Sequence, residues 1–223
     1  MNGAAFRYTT YLISLSKHVD GGNIKRYNMD GGVFMKDNYH HGNLKHDLIE
    51  TSIRIISEEG FDRLSLRNIS TLCGVSHNAI YRHFDNKEQL IATCREYVTE
   101  RMMEQLNTTI EKIDISSGAA LRHLSAAYIS FYKQHPTYYS FLYRNSKVKL
   151  IFSTDAVEGN YPPLELFRKV YNAYGNCKGW EPEETLTHLT RLWSLLHGLT
   201  ALVISPNVEW DGNWQKCLDN IIE

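Results

Sequence analysis

The fold of this chain is decided by residues 65 to 84, which read SLRNISTLCGVSHNAIYRHF. A serine stands where each of two short helices would begin, and Gly74 between them allows a sharp reversal of the backbone. The side chains expected to face inward at helical spacing are Leu66, Ile69, Cys73, Ile80 and Phe84. The stretch therefore predicts a helix-turn-helix, whose second helix presents its first residues to base edges in the major groove of DNA.

Helical patterns continue on both sides of this motif. Upstream, apolar and small residues within 48–56 form one stripe, which predicts a first helix that Gly60 ends. At the motif itself, Ser65 and Ser76 are predicted to cap the second and third helices. Downstream, residues 86–89 read Asn-Lys-Glu-Gln, a predicted capping box that opens a fourth, long helix. This helix is expected to run to about residue 112.

The rest of the chain also reads as helical. Further helices are predicted up to residue 134, over residues 137–144 and 164–176, from about residue 181 to 204, and over residues 213–222. No stretch alternates in the manner of a strand. The predicted class is all-α, with an N-terminal three-helix helix-turn-helix domain at 35–90 and a second, helical domain at 91–223.

Composition excludes several classes of protein. The chain has 223 residues and a formal net charge of −1, so any binding of nucleic acid must rest on a local surface. Its four cysteines form no CxxC pair, which argues against a zinc site, and His40, His41 and His46 lack the geometry of a metal site. We expect no metal or cofactor, no membrane span and a cytoplasmic location.

Residues 1–34 differ from everything that follows. They hold two Gly-Gly pairs and no sustained apolar period. We interpret them as a disordered leader or as an extension from a misassigned start, with Met35 as the alternative first residue. A functional N-terminal arm stays open as a third interpretation.

Residues 60–90 resemble a known family, the TetR family of regulators. The residues that carry the resemblance are Gly60-Phe61, residues 65–69, Gly74-Val75-Ser76, residues 80–84, Lys87 and Leu90. Asn78 stands where glycine is common in that family. A second similarity lies far downstream, where residues 193–199 read WSLLHGL. It resembles the C-terminal Trp-His-Gly motif of one branch of the family.

The resemblance implies a DNA-binding face. Asn78 and Arg82 are suited to bidentate contacts with base edges, and Tyr81, His83 and Lys87 would reach phosphates. The full predicted set is Ser65, Arg67, Ser76, His77, Asn78, Tyr81, Arg82, His83 and Lys87. The alternatives are that Tyr81 and His83 pack against the fourth helix, and that His77 and Asn78 only cap a helix.

Aromatic residues are dense in the C-terminal half, which predicts an apolar pocket edged with phenol hydroxyls. Such a pocket would bind a small hydrophobic or aromatic effector. The predicted lining is Tyr128, Tyr132, Tyr139, Phe141, Phe167, Tyr171, Trp193 and His197. The alternative is that these side chains simply fill a helical core.

The family resemblance also implies that residues 91–223 are an effector-binding and dimerisation domain. The homodimer would pair through its last two helices, where Gly198 and Ala201 would permit close approach. The predicted function is a ligand-responsive repressor that binds a pseudo-palindromic double-stranded operator. Activation in place of repression stays open, because the sign of regulation depends on where the operator lies relative to the promoter. Two other functions also stay open. One is a DNA-binding regulator without a small-molecule ligand, which is controlled by a partner protein or bound constitutively. The other is an enzyme with His123, His135, His188 or His197 as a base, although no nucleophile elbow or phosphate loop supports it.

Overall fold

The computed structural model describes residues 18–20, 23–25, 44–144, 148–210 and 213–221. The chain divides into two units, residues 1–43 and 44–223. In the first, β1 (His18–Asp20) pairs antiparallel with β2 (Asn23–Lys25), two three-residue strands that the sequence did not predict. The rest of the predicted leader, Met35, His40 and His41 lie outside the described residues, so their interpretations stay predictions.

The second unit begins with the predicted three helices. They are α1 (Leu44–Glu59), α2 (Leu66–Leu72) and α3 (His77–Ile80), with a 3-10 turn at Phe61–Arg63 between the first two. Gly60 ends α1 with a φ of 87°, and Gly74 turns the chain between α2 and α3 with a φ of 70°. Both angles lie in the left-handed region, where a side chain would be strained.

The caps of these helices agree with the prediction only in part. The Ser65 hydroxyl accepts a hydrogen bond from the Asn68 N–H at 3.1 Å, as expected. Ser76 occupies the corresponding position before α3, but its hydroxyl makes no capping hydrogen bond, so that prediction is wrong. At the start of α4 (Lys87–Ile110), Asn86 caps Gln89 as predicted. Gln89, however, returns to the N–H of Asp85 and not to that of Asn86.

The helix α4 belongs to both halves of this unit. It contacts α1 on the side of the helix-turn-helix, and α5 and α7 on the other side. Its buried residues follow one face over almost the whole length and are Leu90, Cys94, Val98, Met102 and Leu106. The two halves therefore share a single continuous hydrophobic core.

In the described part of this unit α4 is followed by five further helices: α5 (Gly118–Gln134), α6 (Pro136–Tyr139), α7 (Pro162–Lys178), α8 (Pro182–Val203) and α9 (Trp214–Ile221). The single helix expected over 137–144 is instead split into α6 and a π-helical turn at Ser140–Arg144. The predicted all-α class, with its helix-turn-helix and helical C-terminal domain, is confirmed. Among the described residues no helix is long and apolar enough to cross a membrane.

Candidate DNA-binding face and effector site

The helix α3 is anchored by apolar residues and exposes polar ones. Ile80 and Phe84 are 0% and 1% exposed, and the Val75 N–H bonds to the Ser70 carbonyl across the turn at 2.9 Å. The residues predicted to contact DNA from this region are all exposed: Ser76, His77, Asn78, Tyr81, Arg82 and His83. The fold thus holds a polar, partly basic helix face open to solvent, which is the surface that groove recognition requires.

The exposure of Tyr81 and His83 bears on their roles. Tyr81 is 47% exposed, a large fraction for a tyrosine, and its ring meets that of His77 edge to face at 5.1 Å. Neither side chain is buried against α4, which the alternative interpretation required. At the start of α2, Arg67 is exposed near the capping Ser65, so both lie at the surface.

Lys87 has a structural contact that the sequence did not reveal. Its Nζ donates a hydrogen bond to the carbonyl oxygen of Phe61 at 2.6 Å, and the side chain is half-buried. The ammonium therefore ties the start of α4 to the turn that follows α1. An ammonium has three donors, so two are left for a phosphate.

One carboxylate joins the helix-turn-helix to the C-terminal half. Glu50 on α1 accepts hydrogen bonds from the hydroxyls of Tyr97 on α4, at 2.8 Å, and of Tyr138 on α6. Arg101 donates to the same Tyr97 hydroxyl at 2.8 Å, and His46 lies 3.0 Å from it. We call these five residues the Glu50 junction. It turns one acid of the helix-turn-helix domain toward α4 and α6.

The structure gathers eight aromatic side chains into one group, the aromatic cluster. Its members are Tyr128, Tyr132, Tyr139, Tyr143, Tyr161, Phe167, Trp193 and His197. Neighbouring ring centroids lie 4.4 to 6.4 Å apart, mostly edge to face or tilted, the arrangements that aromatic pairs prefer. The rings of α5 and α8 contact those of Tyr139, Tyr143 and Tyr161, and the α7 ring contacts that of Tyr128.

Hydrogen bonds run through this cluster. The Tyr128 hydroxyl donates to the Tyr143 hydroxyl at 3.0 Å and lies 3.2 Å from Nε2 of His197. The Tyr132 and Tyr161 hydroxyls are 3.4 Å apart, and Tyr139 donates to the carbonyl of His197. Burial raises the pKa values of Tyr128 and Tyr132 well above the usual range and lowers the pKa of His197 to about 4. Tyr128, Tyr132 and His197 are therefore neutral near pH 7.

Six of the eight predicted lining residues join the cluster. Phe141 and Tyr171 are buried too, but no ring contact among the described residues connects them to it. Tyr143 and Tyr161 are members that the predicted set missed. Tyr161 directly precedes α7, outside any periodic segment, so no pattern could have pointed to it.

A separate open groove of about 550 Å³ lies between α4 and α5. Its lining is mostly polar and includes Arg101, Gln105, Thr109, Phe131 and His135. None of the predicted effector-binding residues lines it. Its volume would hold a small molecule, but the groove is shallow and its charged groups, Arg101 and Glu104, have opposite signs.

Comparison with known proteins bears on both halves of the chain. A family model described as "Bacterial regulatory proteins, tetR family" matches residues 48–94. A second, described as "Tetracyclin repressor-like, C-terminal domain", matches residues 121–223. The chain belongs to the TetR family. The first match covers the helix-turn-helix and the second covers most of the helices that follow α4.

Individual TetR relatives are more distant. The HTH-type transcriptional regulator YerO of Bacillus subtilis is 33% identical over 69 residues, which are 31% of this chain and 24% of YerO. YobS of the same species is 24% identical over 163 residues, 73% of this chain and 80% of YobS. Both are described as uncharacterized. The chain thus spans only a quarter of the length of YerO.

Solved structures share the TetR fold. That of AibR in complex with isovaleryl coenzyme A and operator DNA superposes with a TM-score of 0.58 at 15% identity. The match covers 80% of this chain and 95% of AibR. Membership of the Trp-His-Gly branch stays a prediction. In this TetR chain the rings of Trp193 and His197 meet one helical turn apart, 5.2 Å between centroids.

Proposed function

We propose that this chain is a ligand-responsive transcriptional repressor that binds a pseudo-palindromic DNA operator as a homodimer and is not an enzyme. The observation that carries the proposal is the exposed surface of α3 and of the turn that follows it. There Asn78 and Arg82 face solvent, while Ile80 and Phe84 are buried and anchor this segment. Asn and Arg can each make two hydrogen bonds to a base edge, to adenine and guanine respectively. A role on DNA implies a location in the cytoplasm.

Dimerisation is supported by the outer face of α8. Five residues on this face are exposed and mostly small or uncharged: Thr190, Ser194, Gly198, Ala201 and Leu202. Leu202 is 48% exposed, and a Cβ added at Gly198 would meet nothing within 4 Å. A second copy packed on this face and on α9 would cover it and would set two α3 helices at the spacing of a two-fold operator.

Control by a ligand is supported by the aromatic cluster and by the α4 helix that links it to the DNA-binding half. AibR, a structural neighbour, was solved with both a coenzyme A ester and operator DNA. A ligand releases DNA only if it prefers one of two conformations. We infer that a ligand in the cluster shifts α4 and α6, and with them the spacing of the two α3 helices.

A second candidate is a DNA-binding regulator without a small-molecule effector. The observation that favours it is the packing of the cluster, whose rings already contact one another. The two candidates share the DNA-binding half and differ in what the cluster does.

The proposal is tested by selection of bound sequences from random duplex DNA at two salt concentrations. We expect enrichment of a pseudo-palindrome, with binding that weakens as salt rises because phosphate contacts release counterions. The double variant Asn78→Ala/Arg82→Ala should lose the enrichment. A matched control, Asn107→Ala/Lys112→Ala, removes one amide and one positive charge from exposed positions elsewhere and should keep it. The absence of any enriched sequence from wild-type protein would contradict the proposed function.

A further inference from the structure

Trp193 has a buried donor without an acceptor. Its side chain is 3% exposed, and its Nε1–H has no hydrogen-bond partner in the part of the chain that the structure describes. Buried donors are nearly always bonded, because an unmade bond costs on the order of 1–3 kcal/mol. An acceptor that arrives with a ligand would satisfy this donor.

The surroundings of this indole identify where the acceptor would lie. Its ring is 5.2 Å from His197, 5.6 Å from Tyr128, 5.7 Å from Phe167 and 6.4 Å from Tyr161, centroid to centroid. Trp193 therefore stands inside the aromatic cluster. The neighbouring hydroxyl of Tyr128 is already engaged with Tyr143 and His197.

Among the described residues, the aromatic cluster holds no formal charge that could pair with a charged ligand. His197 is neutral near pH 7 because burial lowers its pKa to about 4. The neighbours that raise the pKa values of Tyr128 and Tyr132 are other tyrosines. A carboxylate or an ammonium among these rings would lose its hydration without gaining a counter-charge, which is strongly unfavourable.

Among the described residues, the aromatic cluster reaches the surface only at Tyr143 and His197. Both side chains are half-buried, and their rings meet edge to face at 4.4 Å. Tyr143 lies in the π-helical turn, an element that is frequent at functional sites. Displacement of the Tyr143 ring would open a path to Trp193 past His197.

We propose that the aromatic cluster binds an uncharged molecule with an apolar body, whose carbonyl-type oxygen accepts the hydrogen bond of the Trp193 indole. The ligand enters between Tyr143 and His197. This inference rests on the proposed function and narrows its effector to one chemical class. Carboxylates and ammonium compounds of the same size are excluded from the site.

The test compares two series of four probes, and each series shares one apolar body. The first series is methyl 2-naphthoate, 2-naphthoate, 2-naphthylmethylammonium and 2-ethylnaphthalene. The second series carries the same four groups on an octyl chain. Equilibrium dialysis near neutral pH gives each dissociation constant for the wild-type chain, for Trp193→Phe, and for Trp180→Phe as a matched control. Trp180 stacks on His188, outside the cluster.

We expect an ester to bind at least about 100-fold more tightly than its carboxylate and ammonium partners, since burial of an unpaired charge is so costly. Trp193→Phe should weaken the ester about 10-fold, the worth of one buried hydrogen bond, and should change the hydrocarbon less than about twofold. Trp180→Phe should change neither. The hydrocarbon comparison separates loss of the N–H from any loss of packing.

Three results would overturn the inference. One is a charged probe that binds as well as its ester. Another is an equal loss for ester and hydrocarbon in Trp193→Phe. The third is no binding of any probe by protein that still selects its operator, which would leave DNA regulation standing and favour the effector-free candidate. Failure to select an operator at all contradicts the proposed function itself, whatever the dialysis gives.

Discussion

At the scale of single residues, two serines in equivalent positions have different duties. Ser65 caps α2 through its hydroxyl, whereas Ser76 stands before α3 with its hydroxyl uncommitted to a cap. A side-chain cap contributes about 1 kcal/mol to stability. The free hydroxyl of Ser76 is instead available to a phosphate.

We therefore expect Ser65→Ala to lower the free energy of unfolding by about 1 kcal/mol and Ser76→Ala to change it by less than about 0.3 kcal/mol. Urea denaturation measures both. In contrast to its stability, the operator affinity of Ser76→Ala should fall about three- to tenfold. Equal destabilisation by the two variants would contradict this division of roles.

His197 gives the protein a pH dependence whose sign follows from its burial. Its pKa falls from 6.5 to about 4 on folding, so the unfolded chain binds more protons below pH 6.5. Stability from this group is complete above about pH 6.5 and is lost as the pH falls toward 4. Between about pH 7.5 and about pH 5.5 the loss is roughly 1 kcal/mol.

Urea denaturation at the two pH values checks this, with His197→Asn and His123→Asn compared with wild type. His123 is exposed, so its variant should keep the full pH dependence. His197→Asn should be less stable at both pH values but should lose less between them. The same slope in all three proteins would show that His197 is not the group responsible.

At the scale of elements, α1, α4 and α6 meet at the Glu50 junction. Removal of the charge by Glu50→Gln weakens the bonds from Tyr97 and Tyr138, and we expect a loss of about 1–2 kcal/mol, since the site is partly exposed. The exposed Glu58→Gln on the same helix should cost almost nothing. Urea denaturation measures both changes.

A double-mutant cycle with Tyr138→Phe locates the effect. If Glu50 and Tyr138 act through their mutual hydrogen bond, the double variant should be less destabilised than the two single losses predict by about 0.5–1 kcal/mol. Simple additivity would show that the junction does not couple α1 to α6.

A helix was predictable from the sequence where its apolar residues recur along one face. The amphipathic α1, α5, α7 and α8 follow from apolar periodicity, and Gly60 and Gly74 mark the turns of the DNA-binding half. The π-helical turn at 140–144 was not predictable, because it changes the backbone without changing the local residue pattern. The same is true of short-range choices such as the Gln89 bond to Asp85.

The sequence predicted the kinds of candidate site, an exposed helix face and a group of aromatic side chains. It did not predict all the residues that form them. Exposure along α3 follows from the anchoring spacing of Ile80 and Phe84. The Glu50 junction joins residues 47 and 88 positions apart, and Tyr161 enters the cluster from a non-periodic segment. Such contacts depend on how the helices pack and not on the pattern within any one of them.

At the scale of the whole molecule, the outer face of α8 is expected to bind a second copy. Gly198→Arg places a long charged side chain where nothing lies within 4 Å in one chain, so the fold of the single chain should tolerate it. The dimer should not, because two arginines would meet across the two-fold axis. We expect a monomer by sedimentation velocity and operator affinity reduced at least about 100-fold.

The matched control is Asn107→Arg, an exposed position on α4. It should leave both the dimer and operator binding intact. A Gly198→Arg protein that sediments as a dimer would assign the interface to another face.

The helix α4 is shared by the two halves, and this limits how the protein can be recombined. A chimera that joins residues 44–86 to the effector domain of another regulator would lack Leu90, Cys94 and Val98, which pack against the helix-turn-helix. It would also leave Glu50 without its two phenol donors. A working biosensor built from this helix-turn-helix must therefore include α4 as well, together with a tyrosine at the position of Tyr138. The useful splice point lies beyond residue 110, not at the edge of the helix-turn-helix.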